Sequence, residues 1–423
     1  MKQGSGISQG DAGVQDTSSI GFGEFVALMA MVSSLAALST AAILPALSTI
    51  AEDLALHRRN DAQLIISILL LGMALGQVLF GPISDSIGRK PPVYAGYVLF
   101  GLGCLLSIFS THLKMMLIGR FLQGFGIAGP RSVSLALIRD LHEGRQMARV
   151  MSFVMTVFIL VPIIAPAMGQ GILLVAEWPA IFGSFLVLAV MSMAWFGIRQ
   201  PETLPSARRP SFSFGRVLLA GREVLKTRPT LGYTVTAGLV SGGFIGYLNS
   251  SQQIFQDVYA VGDRFSLYFA ILAAAMGAAT FANGKMVMKY GMRCMSTWSL
   301  RAVVLLSALF FVLASVQEGL PTFWSFMVYM ILTLFCIGIL FGNLNALAME
   351  PLGHMAGLGA AVVASLSLAI SAMLGTWIGQ SYDGTILPLV GGFGFLSLLA
   401  LGVIRWAAGG EVAYAAQRKG LDH

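Results

Sequence analysis

Twelve times along this 423-residue chain, predominantly apolar sequence continues for about 18 residues or more, enough to cross a bilayer's hydrocarbon as a helix. The runs are Phe25 to Pro45, Ala62 to Pro82, Pro92 to Phe109, Met115 to Ile138, Val150 to Val175 and Trp178 to Ile198. A second six follow: Leu231 to Phe255, Leu267 to Met288, Met295 to Val316, Thr322 to Met349, Leu358 to Gln380 and Ile386 to Trp406. No water reaches the backbone in hydrocarbon, so each amide must find its partner inside the segment, and each run is expected to be an α-helix. Only 11% of residues are charged against 56% hydrophobic, and the mean hydropathy is +0.80, values that leave a soluble surface undersupplied with charge. The expected class is therefore an all-α membrane protein with twelve transmembrane helices.

The net charge of +7 raises the question of a nucleic-acid partner, and its placement answers it. With the N-terminus inside, nineteen of the 26 Lys and Arg residues fall in cytoplasmic segments, from Lys2, Arg89 and Lys90 to Arg418 and Lys419. The densest group is Arg199, Arg208, Arg209, Arg216, Arg222, Lys226 and Arg228. External loops hold only Arg58, Arg59, Lys114 and Arg264. This is the positive-inside asymmetry, and it places both termini in the cytoplasm. No nucleic-acid surface is expected.

Cys104, Cys294 and Cys336 are scattered without metal-ligand spacing and read as small apolar residues. The stretch Met1 to Gly23 is rich in Gly, Ser and Gln and is expected to be a flexible cytoplasmic tail without a cleavable signal; the first run is long enough to act as an uncleaved anchor. Residues 200–228, rich in Pro, Ser and Arg, split the runs six and six. The expected division is a bundle over 24–199, a cytoplasmic linker over 200–228, a second bundle over 229–408 and a tail over 409–423.

Each half carries a short glycine and basic hairpin after its second run. The first is Gly81-Pro-Ile-Ser-Asp85-Ser-Ile-Gly88-Arg89-Lys90; the second is Gly284-Lys-Met-Val-Met-Lys289-Tyr-Gly291-Met-Arg293. The same device at matching places in two halves points to two pseudo-symmetric six-helix bundles that rock about a central cavity, the plan of a secondary carrier. Gly72-xxx-Gly76, Gly238-xxx-Gly242-xxx-Gly246 and Gly338-xxx-Gly342 read as close helix contacts. Pro162 and Pro166, one turn apart and followed by Gly169, remove backbone donors and are expected to bend the fifth span.

Ionisable groups deep in a span are functional candidates. Arg120 lies about seven residues from the external end of the fourth run, roughly 10 Å along its axis. Arg131 lies three turns further in; both are expected to face the cavity, the alternative for Arg120 being a helix tie through carbonyls. Arg301, near the cytoplasmic end of its run, is expected to snorkel. Uncharged amides are the remaining cavity candidates: Gln123 beside Arg120, Asn249, Gln252 and Gln253 in the seventh run, and Asn343 and Asn345 in the tenth. Helix–helix hydrogen bonding is the plain alternative for each. Acidic side chains sit in tails, loops or helix ends, and Glu24 is the innermost in the first run and the candidate proton site there.

Other classes lack their signatures. The five His are dispersed, no nucleophile or metal-ligand cluster is visible, and no phosphate-binding loop is present. Neither a repeated pore loop nor a receptor output domain is visible. A non-enzymatic carrier with no cofactor or metal is expected.

Asp85, Gly88, Arg89 and Lys90 resemble the signature loop of the major facilitator superfamily, with Ser86 where that loop usually has Arg. Arg120-xx-Gln123-Gly124-x-Gly126 is similar to its fourth-helix motif, and Ala165-Pro166-xx-Gly169 to a worn fifth-helix antiporter motif. Leu44-Pro45-Ala46-Leu47, Arg139-Asp140, Ala180-Ile181-Phe182, Pro201-Glu202-Thr203-Leu204 and Pro351 to Gly357 resemble the Bcr/CflA group of bacterial drug-resistance transporters within the twelve-helix drug:proton antiporter branch. The resemblance implies proton-coupled export of small organic molecules across the bacterial inner membrane, by a monomer. It also implies that Gly81, Asp85, Gly88, Arg89 and Lys90 form a conformational latch, with Asp85 facing the start of the eleventh helix near Gly357 to Gly359.

One element of that resemblance is missing. The branch places an Asp four residues before the first-helix Pro, and close relatives place a Glu further back; here the positions hold Ala41 and Ser33. A buried carboxylate can load a proton and trade it for a cationic drug. Without it, the two Arg residues make the expected cavity positive and its substrate apolar and neutral or anionic. The alternative function is a facilitator or exporter of one specific neutral or anionic metabolite without proton coupling in the first helix.

Overall fold

The computed structural model describes residues 20–421. The tail expected at the N-terminus, with Lys2, falls almost wholly outside them; so do the side chains of Arg208, Arg418 and Lys419. Every described element is helical, and each of the twelve apolar runs falls on its own long α-helix. In chain order these are α1 (Phe22–Ala41), the short α2 (Leu47–Asp53), α3 (Leu64–Ile87), α4 (Lys90–Ile108), α5 (Leu113–Leu141), α6 (Gly144–Leu173) and α7 (Pro179–Arg199). Then come α8 (Phe214–Lys226), α9 (Arg228–Gln253), α10 (Phe265–Tyr290), α11 (Met292–Val316), α12 (Phe323–Met349), α13 (Ala356–Gln380) and α14 (Leu387–Leu421).

Ten helical stretches are by length and hydropathy able to cross a membrane. One of them, Phe323–Gln380, holds both α12 and α13, and α5 is not among the ten. Helix starts use proline where a backbone donor would go unused, at Pro91 and Pro92 of α4, Pro179 of α7 and Pro229 of α9. The two hairpin glycines end their helices in matching fashion: Gly88 closes α3 at φ 102° and Gly291 closes α10 at φ 78°, a region that side chains rarely enter. This conformational demand explains why the hairpin's second glycine recurs in both halves.

Packing follows the two halves. α5 lies against α3 and α4, α1 against α6, and α4 against α7. α9 lies against α12, α13 and α14, α10 against α12, and α11 against α12 and α14. The halves meet chiefly along α3 with α13 and α6 with α10. Small residues permit these approaches. A side chain at Gly72 or Gly76 would run into the carbonyl of Phe121 or Phe125 on α5. Side chains at Gly238, Gly242 and Gly246 would meet Ile370, Leu374 and Ile378 on α13. One at Gly338 would meet Met276 on α10, whereas Gly342 faces open space. Close backbone approach of this kind is what holds helices together where lipid offers no hydrophobic contrast.

The segment 200–228, read as a linker, contains the helix α8. Val217, Ala220 and Val224 give it a buried face at helical spacing, packed on α9 and α13. Pro162 and Pro166 both lie inside α6, which runs through them without a break in its helical assignment.

Candidate functional site

Between the two sets of helices lies a cavity of about 360 Å³, walled by α1, α3, α5 and α6 on one side and α9, α10, α12 and α13 on the other. Its surface is mostly apolar, with Met73, Met276, Phe244, Phe269 and Phe341 among the larger contributors. Among the described residues of the lining Arg131 is the sole charged one, and none is a carboxylate. Ala41, which stands where the resembling branch has its acid, is part of this wall. Asn345 and Pro162 line it as well. Thr40, Ser367 and Ser371 also line the cavity, but each donates its hydroxyl to a backbone carbonyl. Gln77 and Ser241 line it too, so uncharged polar groups are present in the wall beside Arg131 and Asn345.

Arg120 does not line this cavity. Its side chain has no exposure, and its donors are spent on protein acceptors: Nε on the Ile65 carbonyl (2.9 Å), Nη1 on Gln123 Oε1 (2.7 Å) and Nη2 on the Ser39 carbonyl (2.8 Å). Gln123 passes the tie on, donating to the Gly103 carbonyl and Ser107 Oγ of α4. The pair thus fastens α5 to α1, α3 and α4. Arg120 and Arg131 are eleven residues apart, about three turns, so they share a face of α5. Depth separates them. At Arg120 the glycine contacts bring helices together, as at Gly119 beside Ser107 and Gly124 beside the Leu69 carbonyl; at Arg131 the helices have parted.

Several other candidates also lie elsewhere. Asn343 is not in the lining; it exchanges two hydrogen bonds with Asn283 of α10, at 2.9 and 3.0 Å. Asn249, Gln252 and Gln253 belong to a seam between the halves at one end of the molecule. There Asn249 donates to Ser67 Oγ (2.9 Å), Gln252 to Ser48 Oγ (3.0 Å) and Gln253 to Asn60 Oδ1 (3.0 Å), while Gln63 donates to Gln253 Oε1. Asn60 donates to the Tyr382 carbonyl (2.8 Å) and Gln380 to the Asn60 carbonyl (2.6 Å). Gln170 donates to the Asp263 carbonyl and accepts from Ser266. Charge enters this seam at Arg58, which donates to Gln380 Oε1 (3.3 Å), and at Arg59, 3.9 Å from Asp257; the contacts above join uncharged groups.

Glu24 forms a two-pronged ion pair with Arg199 (2.6 and 2.7 Å) and accepts from the Trp195 indole, joining α1 to α7 away from the cavity. The carboxylate, expected from the sequence as a proton site, is engaged here as a tie between these two helices.

At the opposite end the signature loop is a charge cluster. Arg89 Nη1 donates to Asp85 Oδ1 (2.6 Å) and Nε to Asp140 Oδ2 (2.7 Å). Asp85 is engaged by Arg89 rather than by the start of α13, although a Cβ built on Gly81 would stand 3.8 Å from that of Ala361 on α13. Burial opposes the Arg89 charge, yet Asp140 and Asp85 more than compensate and raise its pKa. Lys90 Nζ donates to the Gly197 carbonyl, tying the loop to α7.

Glu202 and Tyr247 escaped the sequence reading as site residues. Glu202 accepts from the backbone N–H of Arg89 (2.9 Å) and Lys90 (3.1 Å), capping α4 from a distant segment. Burial pushes its carboxyl pKa up, and the N–H donors of Arg89, Lys90 and Leu204 with the Arg209 charge outweigh that and bring it below the ordinary value. A signal existed: α4 opens without a capping side chain of its own. Tyr247 lines the cavity from α9, 1% exposed, with its hydroxyl unpartnered. Its sequence context, an apolar helix rich in aromatics, carries no such signal.

The Major Facilitator Superfamily model matches residues 29–376. The chain belongs to that superfamily. It is 29% identical to the MFS-type transporter YdgK of Bacillus subtilis (strain 168), over 86% of this chain and 90% of that protein. It is 27% identical to the bicyclomycin resistance protein homolog of Haemophilus influenzae, over 86% and 91%. Among solved structures, the xylose transporter XylE from E. coli in a partially occluded inward open conformation superposes with a TM-score of 0.68 at 13% identity, covering 90% of this chain and 96% of that one. That likeness is one of fold. This member of the superfamily is a multi-pass membrane transporter, not an enzyme, and its relatives fit the Bcr/CflA resemblance.

Proposed function

We propose that this protein exports small organic molecules, drugs or toxic metabolites, across the bacterial inner membrane by proton-coupled alternating access. The reading rests on one observation: a cavity walled by helices of both halves and closed at one end by hydrogen bonds between those halves. The name of the Haemophilus relative supports drugs as cargo.

Twelve spans follow if α5 crosses in addition to the ten apolar stretches and Phe323–Gln380 crosses twice. They form two six-helix bundles, 24–199 and 229–408, joined by 200–228, with both termini cytoplasmic by the placement of Lys and Arg. In that topology the amide seam is external. Arg131 and Asn345 sit toward the cytoplasmic ends of their helices while the seam closes the external end, so this conformer faces inward. The Asp85–Arg89–Asp140 cluster is its inner latch, and Pro162 to Gly169 is the pivot of α6.

A second reading, export or facilitated passage of a neutral or anionic metabolite without a proton site in α1, is favoured by a specific observation. The cavity wall holds Ala41 and no carboxylate. Efflux from pump-deficient cells loaded with matched neutral, anionic and cationic compounds, before and after collapse of the pH gradient, decides between them. Export that stops with the gradient supports proton exchange; export that persists supports the second reading; no difference from cells lacking the protein removes both.

A further inference from the structure

The geometry points to an amphiphilic organic monoanion as the substrate, its acid group held by Arg131 of α5 and its body by the mostly apolar, aromatic wall of α9, α10 and α12. This deepens the transporter reading and rests on it.

Two features of the cavity carry the assignment. Arg131 is the single charged residue among the described residues of the lining, none of which is a carboxylate. Its Nη1 donates to the Met73 sulfur at 3.5 Å, a weak acceptor that an oxyanion would displace. A cation brought into this space would meet a like charge at low dielectric, whereas an anion meets its complement. Secondly, the remaining wall is mostly apolar, with Phe244, Tyr247, Phe269 and Phe341 among its rings, and about 360 Å³ suits a substrate with a ring system and one acidic group rather than a small polar metabolite.

Arg131 and this aromatic wall come from different halves, so the bound molecule bridges the surfaces that must separate and rejoin during transport. The charge also supplies the driving force. A monoanion leaving an inside-negative compartment is favoured by about fiftyfold in its equilibrium ratio for each 100 mV. Export then needs no proton-loading acid, which accounts for a wall where Ala41 replaces one.

Pyrene butyrate, its uncharged amide and a pyrenebutyl trimethylammonium salt share one body and differ in charge. With the purified full chain in lipid nanodiscs, pyrene emission should show the carboxylate bound at least about tenfold more tightly than the amide, and the ammonium weakest. Arg131→Gln should bring carboxylate and amide to within about threefold of each other while leaving amide affinity nearly unchanged; Arg131→Lys should keep part of the preference. Equal or tighter ammonium binding, a charge preference that survives Arg131→Gln, or binding of none of the three would overturn the assignment. Vesicles with a potassium–valinomycin potential separate this idea from the transporter reading. Carboxylate flux that follows the potential supports both. Flux of the amide alone keeps the transporter and removes the anion. Charge-selective binding with no flux of any probe keeps the anion site and removes transport.

Discussion

Arg120 donates to the Ser39 carbonyl at 2.8 Å and so ties α5 to α1 with a buried guanidinium that also donates to the Ile65 carbonyl and the Gln123 amide oxygen. Removing it strands those three acceptors in a region with no water. Arg120→Ala is expected to lower stability by roughly 3 kcal/mol, the range for a buried charged hydrogen-bond network losing its centre. Thermal unfolding in detergent and the amount of protein in the membrane should both fall. If instead the variant melts like the parent but loses transport, Arg120 acts on substrate rather than on packing.

The contrast between Arg120 and Arg131 shows how far sequence alone reaches. Apolar runs long enough to span give the helices to within a few residues, because in lipid the backbone has no alternative partner. Gly88 and Gly291 were legible as a repeated hairpin, and their positive φ is the reason. Small residues at helical spacing marked real contacts at Gly72 and Gly238, and failed at Gly342, which meets nothing. Depth within a bundle was not legible: Arg120 and Arg131 lie on one face of α5, and only tertiary packing decides which meets carbonyls and which meets space. The same limit moved Asn249, Gln252 and Gln253 from the cavity to the seam. Tyr247 was hidden because a tyrosine in an apolar helix reads as packing.

Gln253 sits at the centre of the seam, accepting from Gln63 and donating to Asn60. Gln253→Ala deletes both bonds at about 1 kcal/mol each, which shifts the ratio of closed to open seam by up to roughly thirtyfold. Spin labels at His57→Cys and Ser381→Cys, in a background free of the three native cysteines, should show a new longer distance in double electron–electron resonance. An unchanged distribution would mean that the seam is held by packing and not by these amides.

Glu202 holds the start of α4 through the N–H groups of Arg89 and Lys90, and its pKa is lowered by those donors and by Arg209. A depressed acid contributes stability above its unfolded pKa, about 4.3, and loses it as pH falls through the lower folded value. The Glu202 carboxylate is partly exposed, so solvent screening keeps the effect small, about 1 kcal/mol for the cap. Melting temperature measured from pH 7 down to pH 3 should fall less steeply for Glu202→Gln than for the parent, with the variant already lower at pH 7. Parallel curves would mean that the Glu202 carboxylate contributes nothing to the acid loss.

Ala41 forms part of the cavity wall, and the wall has no acid of its own, so one substitution tests what that absence does. Ala41→Asp places a carboxylate in the same space as Arg131. A charge about 8 Å from a bound cation at an effective dielectric near 20 is worth on the order of 2 kcal/mol. The ratio of cationic to anionic substrate exported should therefore rise by at least about tenfold. Because a carboxylate inside the membrane can exchange a proton for a cation, the gained cation export should also depend on the pH gradient. Efflux of paired cationic and anionic dyes, with the gradient intact and then collapsed, reads both effects at once. A gain in cation export that ignores the gradient would separate charge selection from coupling and place the proton step outside α1. No change in selectivity would mean that substrate binds away from Ala41, and the cavity would lose its claim to be the transport site.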